Sequence, residues 1–322
     1  MFRIDDATAA TSLPAPEAAG TEGYFTEGNP TAGTPATNVR GSWLNMIQEE
    51  LCAILAAAGI TRSKTSYNQV NAALQKMYSP VIGSARKLVM TVTAASAAAT
   101  LTADEVVVGA ALGGQKYILS SFSKTINLAT TGAGGMDTGT APVSGYVAIY
   151  AIYNPATATA ALLAANATSA VAGNVYGGAS MPAGYTASAL VSVVPTNASG
   201  QFVIFKQLDR SIKIAQVTAF STTTATGSPT NLSISGVVPP NAITISGAQQ
   251  VGTSTNAVVS GQLYSDASGV GNEPNIANIP GAGSQITAFR DVFLAAQQTV
   301  RYGVSITAGT LSYVLFITGY TF

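Results

Sequence analysis

Histidine is absent from all 322 positions of this chain. Ser-His-Asp and Cys-His catalysis are therefore excluded, and histidine general acid–base chemistry with them. A single cysteine, Cys52, rules out an intrachain disulfide and, with no second thiol or imidazole, a zinc or redox centre. Cys52 reads as a buried structural side chain. Charge is scarce as well: Asp, Glu, Lys and Arg make up 9% of the residues, against about 25% in an ordinary soluble domain. The 14 basic and 14 acidic groups cancel. Without a positive field the chain lacks the electrostatic footprint of nucleic-acid binding and the attraction to anionic membranes. Mean hydropathy is positive, +0.32, but no run reaches the roughly 18 apolar residues of a spanning helix, so membrane insertion is not expected. Met1–Asp6 carries two acids and no apolar core segment. This reading predicts no secretory signal, with synthesis in a cytoplasm and release by a route such as lysis.

What remains is unevenly distributed. Seven of the 14 acidic residues fall in the first 50 positions, beside only Arg3 and Arg40. Between Leu13 and Pro35, Pro, Gly, Thr and Ala dominate, with isolated aromatics at Tyr24 and Phe25. That texture predicts an extended arm over residues 1–40, which needs another surface to order it. From Trp43 the period changes: Trp43, Leu44, Ile47, Leu51, Ile54, Leu55 and Ala58 recur at three- and four-residue spacing, as on one face of an amphipathic helix. Ser42 is the expected cap and Gly59 the expected stop. A second helix, capped by Thr65 or Ser66, carries Tyr67, Val70, Leu74 and Met77, and Pro80 ends the unit. Two short striped helices over 41–80 make a hairpin too small to hold itself together, so self-association is expected there. The alternative left open is packing of the stripes on the chain's own β region.

Beyond Lys87 the pattern is β throughout. Leu88–Val92, Val106–Val108, Tyr117–Ser121, Lys124–Leu128, Val143–Tyr153, Ala187–Val194 and Gln201–Phe205 read as strands between Gly, Pro and Asn breaks. Ala158–Ala165 reads as a return strand after Asn154-Pro155. Four charges gather in Lys206–Lys213, where a domain boundary is placed. A second set follows: Ile212–Phe220, Leu232–Ser235, Ala242–Ala248, Ala257–Leu263, Gln285–Phe293, Thr299–Ile306 and Leu311–Thr318. The expected fold is thus mainly β, an arm and helical hairpin followed by two sandwich-like domains over 81–210 and 211–322. Tyr264–Gly283 is expected to be a long irregular loop, of the kind that is usually functional.

Few residues carry chemistry. Gly109, Gly113 and Gly114 near Lys116 lack the phosphate-loop spacing, and no Asp-rich calcium loop is present. No cofactor or metal is expected. A glycosidase needs only two carboxylates, and Asp266 and Glu273 share one loop; isolated loop acids more often accept hydrogen bonds from solvent or sugar. Sugar recognition without chemistry needs aromatic faces and amide or carboxylate partners. Tyr264, Asp266, Asn272, Glu273, Asn275 and Asn278 supply both, and Tyr320 and Phe322 add aromatic faces.

The opening stretch MFRIDDATAATSLPAPEAAGTEGYFTEGNPTAGTPATNVRGSWLNMIQEEL, continuing through GITRSKTSYNQVNAAL to about Leu74, resembles the start of tail-fibre proteins of tailed bacteriophages and prophages of proteobacteria. TINLATTGAGGMDTGTAPVSGYVAIYAIYNP and VYGGASMPAGYTASALVSVVPTNASGQF, roughly Thr125–Phe202, resemble a central module of such proteins. The resemblance implies an elongated homotrimer assembled in the host cytoplasm into the virion. Its N-terminal region would dock on tail or baseplate proteins, with Phe2, Tyr24, Phe25 and Trp43 as candidate attachment residues. The distal region would meet a bacterial surface glycan or protein receptor, with the Tyr264–Asn278 residues as candidates. Scarce charge agrees, since three chains would bury one another's surfaces. Two other readings stand beside it: a glycan-cleaving tailspike, which predicts a fixed repeat of about 20–30 residues that is not found, and a purely structural baseplate, collar or head-fibre component.

Overall fold

The computed structural model describes residues 2–78 and 80–322; Met1 and Ser79 lie outside the described residues. The chain divides into two compact units, Met1–Ser79 and Pro80–Phe322.

In the first unit an extended arm contains one 3-10 turn, Pro30–Ala32, and leads into α1 (Gly41–Ala57) and α2 (Gln69–Tyr78). The three- and four-residue spacing forms a helix as expected, but the caps differ. Arg40, which gives no side-chain cap, precedes α1, so Ser42 lies inside the first turn. Gly59 ends α1 at φ 63, a left-handed value free of Cβ strain only for glycine, and Ile60 N–H returns to the Leu55 carbonyl at 2.9 Å. α2 starts at Gln69, later than Thr65 or Ser66 would set it, because Gln69 turns back to close the loop: its Nε2 donates to the Thr61 carbonyl at 2.8 Å. Tyr67 therefore precedes the helix and stands exposed. The apolar core is small. Among the described residues of this unit only Cys52, Leu55, Ala58 and Ala73 are buried apolar side chains.

The second unit is β. Its first strands are β1 (Ala85–Arg86), β2 (Val89–Val92), β3 (Ala98–Gly109), β4 (Lys116–Asn127), β5 (Tyr146–Asn154) and β6 (Thr159–Asn166). Next come β7 (Ala187–Pro195), β8 (Phe205–Leu208), β9 (Ser211–Thr222), β10 (Thr230–Ser233) and β11 (Thr244–Thr253). The last are β12 (Ala257–Tyr264), β13 (Glu273–Ile279), β14 (Gly283–Phe293), β15 (Thr299–Ile306) and β16 (Leu311–Thr321). All ladders are antiparallel. One sheet runs β14-β11-β16-β9-β8-β2-β3-β7-β5-β6, with β1 and β4 also on β3; a second runs β10-β15-β12-β13.

β5 and β7 show why their sequences are continuous apolar runs. Tyr146–Ile152 and Ala187–Val194 are buried at every position, as happens when both faces of a strand are covered. Ala160–Ala165 sits in β6 and pairs with β5, so the alanines follow their neighbours into a hairpin despite their helical preference. The two runs at Tyr117–Ser121 and Lys124–Leu128 are one strand, interrupted at Ser121 by a left-handed φ of 51 without change of register.

Lys206–Lys213 is the β8–β9 hairpin, closed by Asp209 at φ 49, and the ladder continues through it. Its charges have local work: Asp209 accepts from Leu88 N–H at 3.0 Å, and the Arg210 guanidinium lies 5.2 Å over the Phe322 ring. Beneath it Gln207, fully buried, donates to the Val191 and Asp209 carbonyls at 2.7 Å each and accepts from Ser192 Oγ at 2.6 Å.

Toward the C-terminus the two sheets form a sandwich. β12, β13 and β15 pack on β11, β14 and β16. Tyr302 of β15 stacks on Tyr313 of β16 with centroids 5.9 Å apart, and Phe220 meets Tyr302 edge-on at 4.9 Å. The Tyr264–Gly283 segment corrects the expectation of one long loop. Residues 265–272 and the short turn 280–282 connect strands, and between them lies β13, paired along its length with β12.

Candidate functional surfaces

The first surface belongs to the N-terminal unit. Its arm is held by ion pairs: Arg3 Nε donates to Glu49 of α1 at 2.6 Å, Lys64 Nζ in the α1–α2 connection reaches Asp5 at 2.7 Å, and Arg40, just before α1, reaches Glu17 at 3.2 Å. Ile4 N–H adds a bond of 2.7 Å to Gln48. The hydrogen bond from Arg3 holds the Glu49 carboxyl below its ordinary range, and that from Lys64 does the same for Asp5. These pairs are exposed and contribute little stability each, so they set the position of the arm more than its strength.

Between arm and α1 lies a groove of about 740 Å³, lined by Leu13, Pro16, Tyr24, Phe25, Trp43 and Met46 among others. Phe25 and Trp43 pack edge-to-face with centroids 5.0 Å apart. Three of the four expected attachment residues thus converge. Tyr24 is 99% exposed and Phe25 56%, an unusual display for aromatic side chains in a folded segment. Phe2, also exposed, is not part of the groove.

The second surface is the outer face of the four-stranded sheet. Strand alternation sorts the expected receptor residues. In β12 and β13, Val258, Ser260, Gln262, Pro274, Ile276 and Asn278 face out, in register across the pair. Tyr264 continues that face opposite Arg301 of β15, whose guanidinium donates to Asn231 at 2.9 Å and the Pro229 carbonyl at 2.7 Å. Asn272 is exposed at the mouth of the turn. Asp266 holds that turn: its Oδ1 accepts from Ser268 N–H at 2.9 Å, Ser268 Oγ at 2.8 Å and Val270 N–H at 3.1 Å, and these bonds lower its pKa. A carboxylate so occupied stays ionised, the wrong state for a catalytic proton donor.

Parity turns two of the expected residues inward. Asn275 points inward and is 1% exposed, donating to the Gln249 carbonyl at 2.9 Å and accepting from Thr287 Oγ1 at 3.0 Å. Glu273 shares that parity at the end of β13, half-buried, its carbonyl taken by Gln249 Nε2 at 2.8 Å. Tyr320 and Phe322 are likewise buried, Tyr320 donating to the Val193 carbonyl at 2.8 Å. Asn275→Ala is accordingly expected to cost about 2 kcal/mol, since it strips partners from buried polar groups. Exposed Asn278→Ala should stay within about 0.5 kcal/mol. Urea unfolding of both variants checks the contrast, and equal stabilities would place Asn275 on the surface after all.

A third hollow, of about 480 Å³, has no single signal in the sequence: Tyr146, Pro195, Val203, Ile204, Ile214 and Val217 line it from four separate segments. Ile204 and Val217 there are exposed apolar side chains. Among the described residues no helix is long and apolar enough to cross a membrane.

No protein-family profile matches the chain. An N-terminal stretch is similar to the uncharacterized protein StfP of Escherichia coli (strain K12), 40% identical over 77 residues. That match takes in 24% of this chain and 35% of StfP, so the similarity spans about a third of the relative's length. Among solved structures, the Cry1Da tryptic core variant of Bacillus thuringiensis aligns over 79% of this chain and 54% of its own at 9% identity. Its TM-score of 0.19 is too low to support any statement about the fold.

Proposed function

We propose that the chain is a structural, non-enzymatic component of a phage or prophage tail: a homotrimeric fibre. Its N-terminal unit attaches to a tail or baseplate protein of the virion, and its β unit presents the surface that meets a bacterial glycan or protein receptor. The observation that carries this reading is the contrast between the units. The β unit owns an extended apolar core, from Ile82 to Phe322. Among its described residues the N-terminal unit buries four apolar side chains, and it displays Tyr24, Phe25, Trp43 and Met46 around an open groove. A segment so built needs partners to cover it. That stretch is also the one that resembles tail-fibre openings, and the similarity to StfP falls in it. Of the receptor candidates, Tyr264 and Asn278 lie on the outer face of β12–β13, with Gln262 and Arg301 on the same face, and Asn272 is exposed in the adjoining turn. Few charges on these strands fit mutual burial of several chains.

Labelled full-length protein is expected to bind saturably to cells of at least one strain in a panel of proteobacteria, and Tyr264→Ala combined with Asn278→Ala to weaken that binding about tenfold. Flow cytometry with the folded, unlabelled protein as competitor measures it. Absence of binding across the panel by the folded assembly would favour a purely structural baseplate, collar or head-fibre role.

A further inference from the structure

Arg210 is a half-buried guanidinium without an acid. It belongs to the two-residue turn between β8 and β9, where a charged side chain ordinarily extends into water, and instead it lies over the Phe322 ring at 5.2 Å. Among the described residues it has no hydrogen bond and no ion pair. Burial lowers its pKa, with no nearby carboxylate to raise it. Taking a guanidinium out of water is costly; a ring face offsets part of that cost, and an anion with two oxygens offsets far more. The turn holds the group in place. Asp209 N–H donates to the Leu88 carbonyl at 2.8 Å, Leu88 N–H donates to Asp209 Oδ1 at 3.0 Å, and Gln207 Nε2 donates to the Asp209 carbonyl at 2.7 Å. Gly83 makes the space: its φ of 84 is left-handed, and a Cβ there would come within 2.8 Å of Arg210 Nη2. The guanidinium thus lies against bare backbone in a hollow of about 260 Å³, walled also by Ser84, Leu88, Leu190 and Asp209.

The walls define a ligand. Arg210 offers the planar fork of donors that matches a carboxylate or phosphate. Ser84 is exposed, and its hydroxyl has no partner among the described residues. Asp209 engages only Oδ1, which leaves Oδ2 to accept from a hydroxyl. Leu88 and Leu190 give an apolar wall. The negative charge of Asp209 beside the site penalises a second negative charge on the ligand, so a singly charged carboxylate fits better than a phosphate dianion. The volume falls just under the roughly 300–1,000 Å³ of drug-sized sites, which suits one sugar ring. We propose that this hollow binds a hexuronic-acid residue, Arg210 holding its carboxylate and Ser84 and Asp209 its hydroxyls. Every one of these groups lies in the β unit, and none belongs to the outer face of β12–β13. The site therefore stands independently of the receptor surface proposed above.

Calorimetric titration of the full-length protein with glucuronate, and in separate arms with glucose and inorganic phosphate, tests this. Glucuronate is expected to bind saturably with a Kd of about 1 mM, phosphate about tenfold more weakly, and glucose undetectably. Arg210→Met keeps the stem over Phe322 and removes the charge; it should weaken glucuronate binding about tenfold or more. Ser84→Ala, at an exposed position that the core tolerates, should weaken it about threefold and decides the matter if Arg210→Met does not fold. The pair Tyr264→Ala and Asn278→Ala should leave it unchanged. Circular dichroism establishes that each variant is folded. No glucuronate binding by the parent, binding that survives undiminished in the folded Arg210→Met and Ser84→Ala variants, or loss of it in the Tyr264/Asn278 variant overturns the site. Phosphate binding as tight as glucuronate overturns the sugar acid as its ligand. None of these results bears on cell binding by the outer face, which is measured separately.

Discussion

Gly247→Ala is expected to lower the unfolding midpoint of the β unit by roughly 6–12 °C, the shift for about 3 kcal/mol in a unit of this size. A Cβ on Gly247 would meet the Phe316 carbonyl oxygen of β16 at contact far inside van der Waals range, and the Phe316 carbonyl carbon at 2.9 Å. Both obstacles are backbone, so no rotamer change relieves them. The position is also where β11 shifts register against both β14 and β16, and the close approach of the strands at this bulge is what excludes a side chain. Separating β11 from β16 breaks the centre of one face of the sandwich, just below Tyr313 and Leu315, which are both fully buried. Gly247 has no left-handed φ, so the effect would come from space alone. Thermal unfolding followed by circular dichroism measures it. A midpoint within 2 °C of the parent would mean that the β11–β16 ladder opens at this bulge more easily than its geometry indicates.

Gly247 also marks a limit of reading this chain from its residues. A glycine between Ser246 and Ala248 is visible, but the carbonyl it faces comes from Phe316, 69 positions on. The strands that were legible have plain patterns: Thr299–Ile306 alternates between two faces and forms β15 with those bounds. β13 was hidden because Pro274, Asn275 and Asn278 are turn formers. Its place at the sheet edge tolerates a proline, and the interior supplies hydrogen bonds for Asn275. That same strand decided which receptor candidates stay on the surface, since one step of alternation moves Asn275 inside and leaves Asn278 out. In the N-terminal unit, the helix and the exposed aromatics followed from spacing and composition. The groove did not, because Arg3, Asp5 and Glu17 find their partners 46, 59 and 23 residues away.

Raising the pH is expected to leave stability flat from about pH 6 to 9 and then to unfold the β unit steeply above about pH 10. The flat stretch follows from the absence of histidine. The steep one follows from tyrosine. Tyr146, Tyr150, Tyr313 and Tyr320 are all 5% exposed or less. Burial pushes Tyr150 up to about 12 and moves Tyr146, Tyr313 and Tyr320 further in the same direction. Three of these hydroxyls donate to oxygen acceptors that would repel a phenolate: Tyr146 to Ser235 at 3.2 Å, Tyr313 to Gln249 Oε1 at 3.0 Å and Tyr320 to Val193 at 2.8 Å. A group whose folded pKa lies above its unfolded value contributes its full stability below the unfolded pKa and loses it as pH rises through the folded one. Between pH 10 and 12 the unfolded chain releases protons that the folded chain keeps, so each such tyrosine takes away about 1.4 kcal/mol per pH unit. Four together remove roughly 5 kcal/mol per unit, against a total of about 5–15 kcal/mol for a native domain. Unfolding should therefore be complete near pH 12. Absorbance at the tyrosinate band and circular dichroism, followed together, test the cause: ionisation of the buried group must coincide with loss of structure. Tyr320→Phe should make the transition shallower by about a quarter, because it deletes one of the four titrating groups. If all 13 tyrosines ionise near pH 10 while the β signal persists, the phenols of the sandwich are open to water and the burial argument fails.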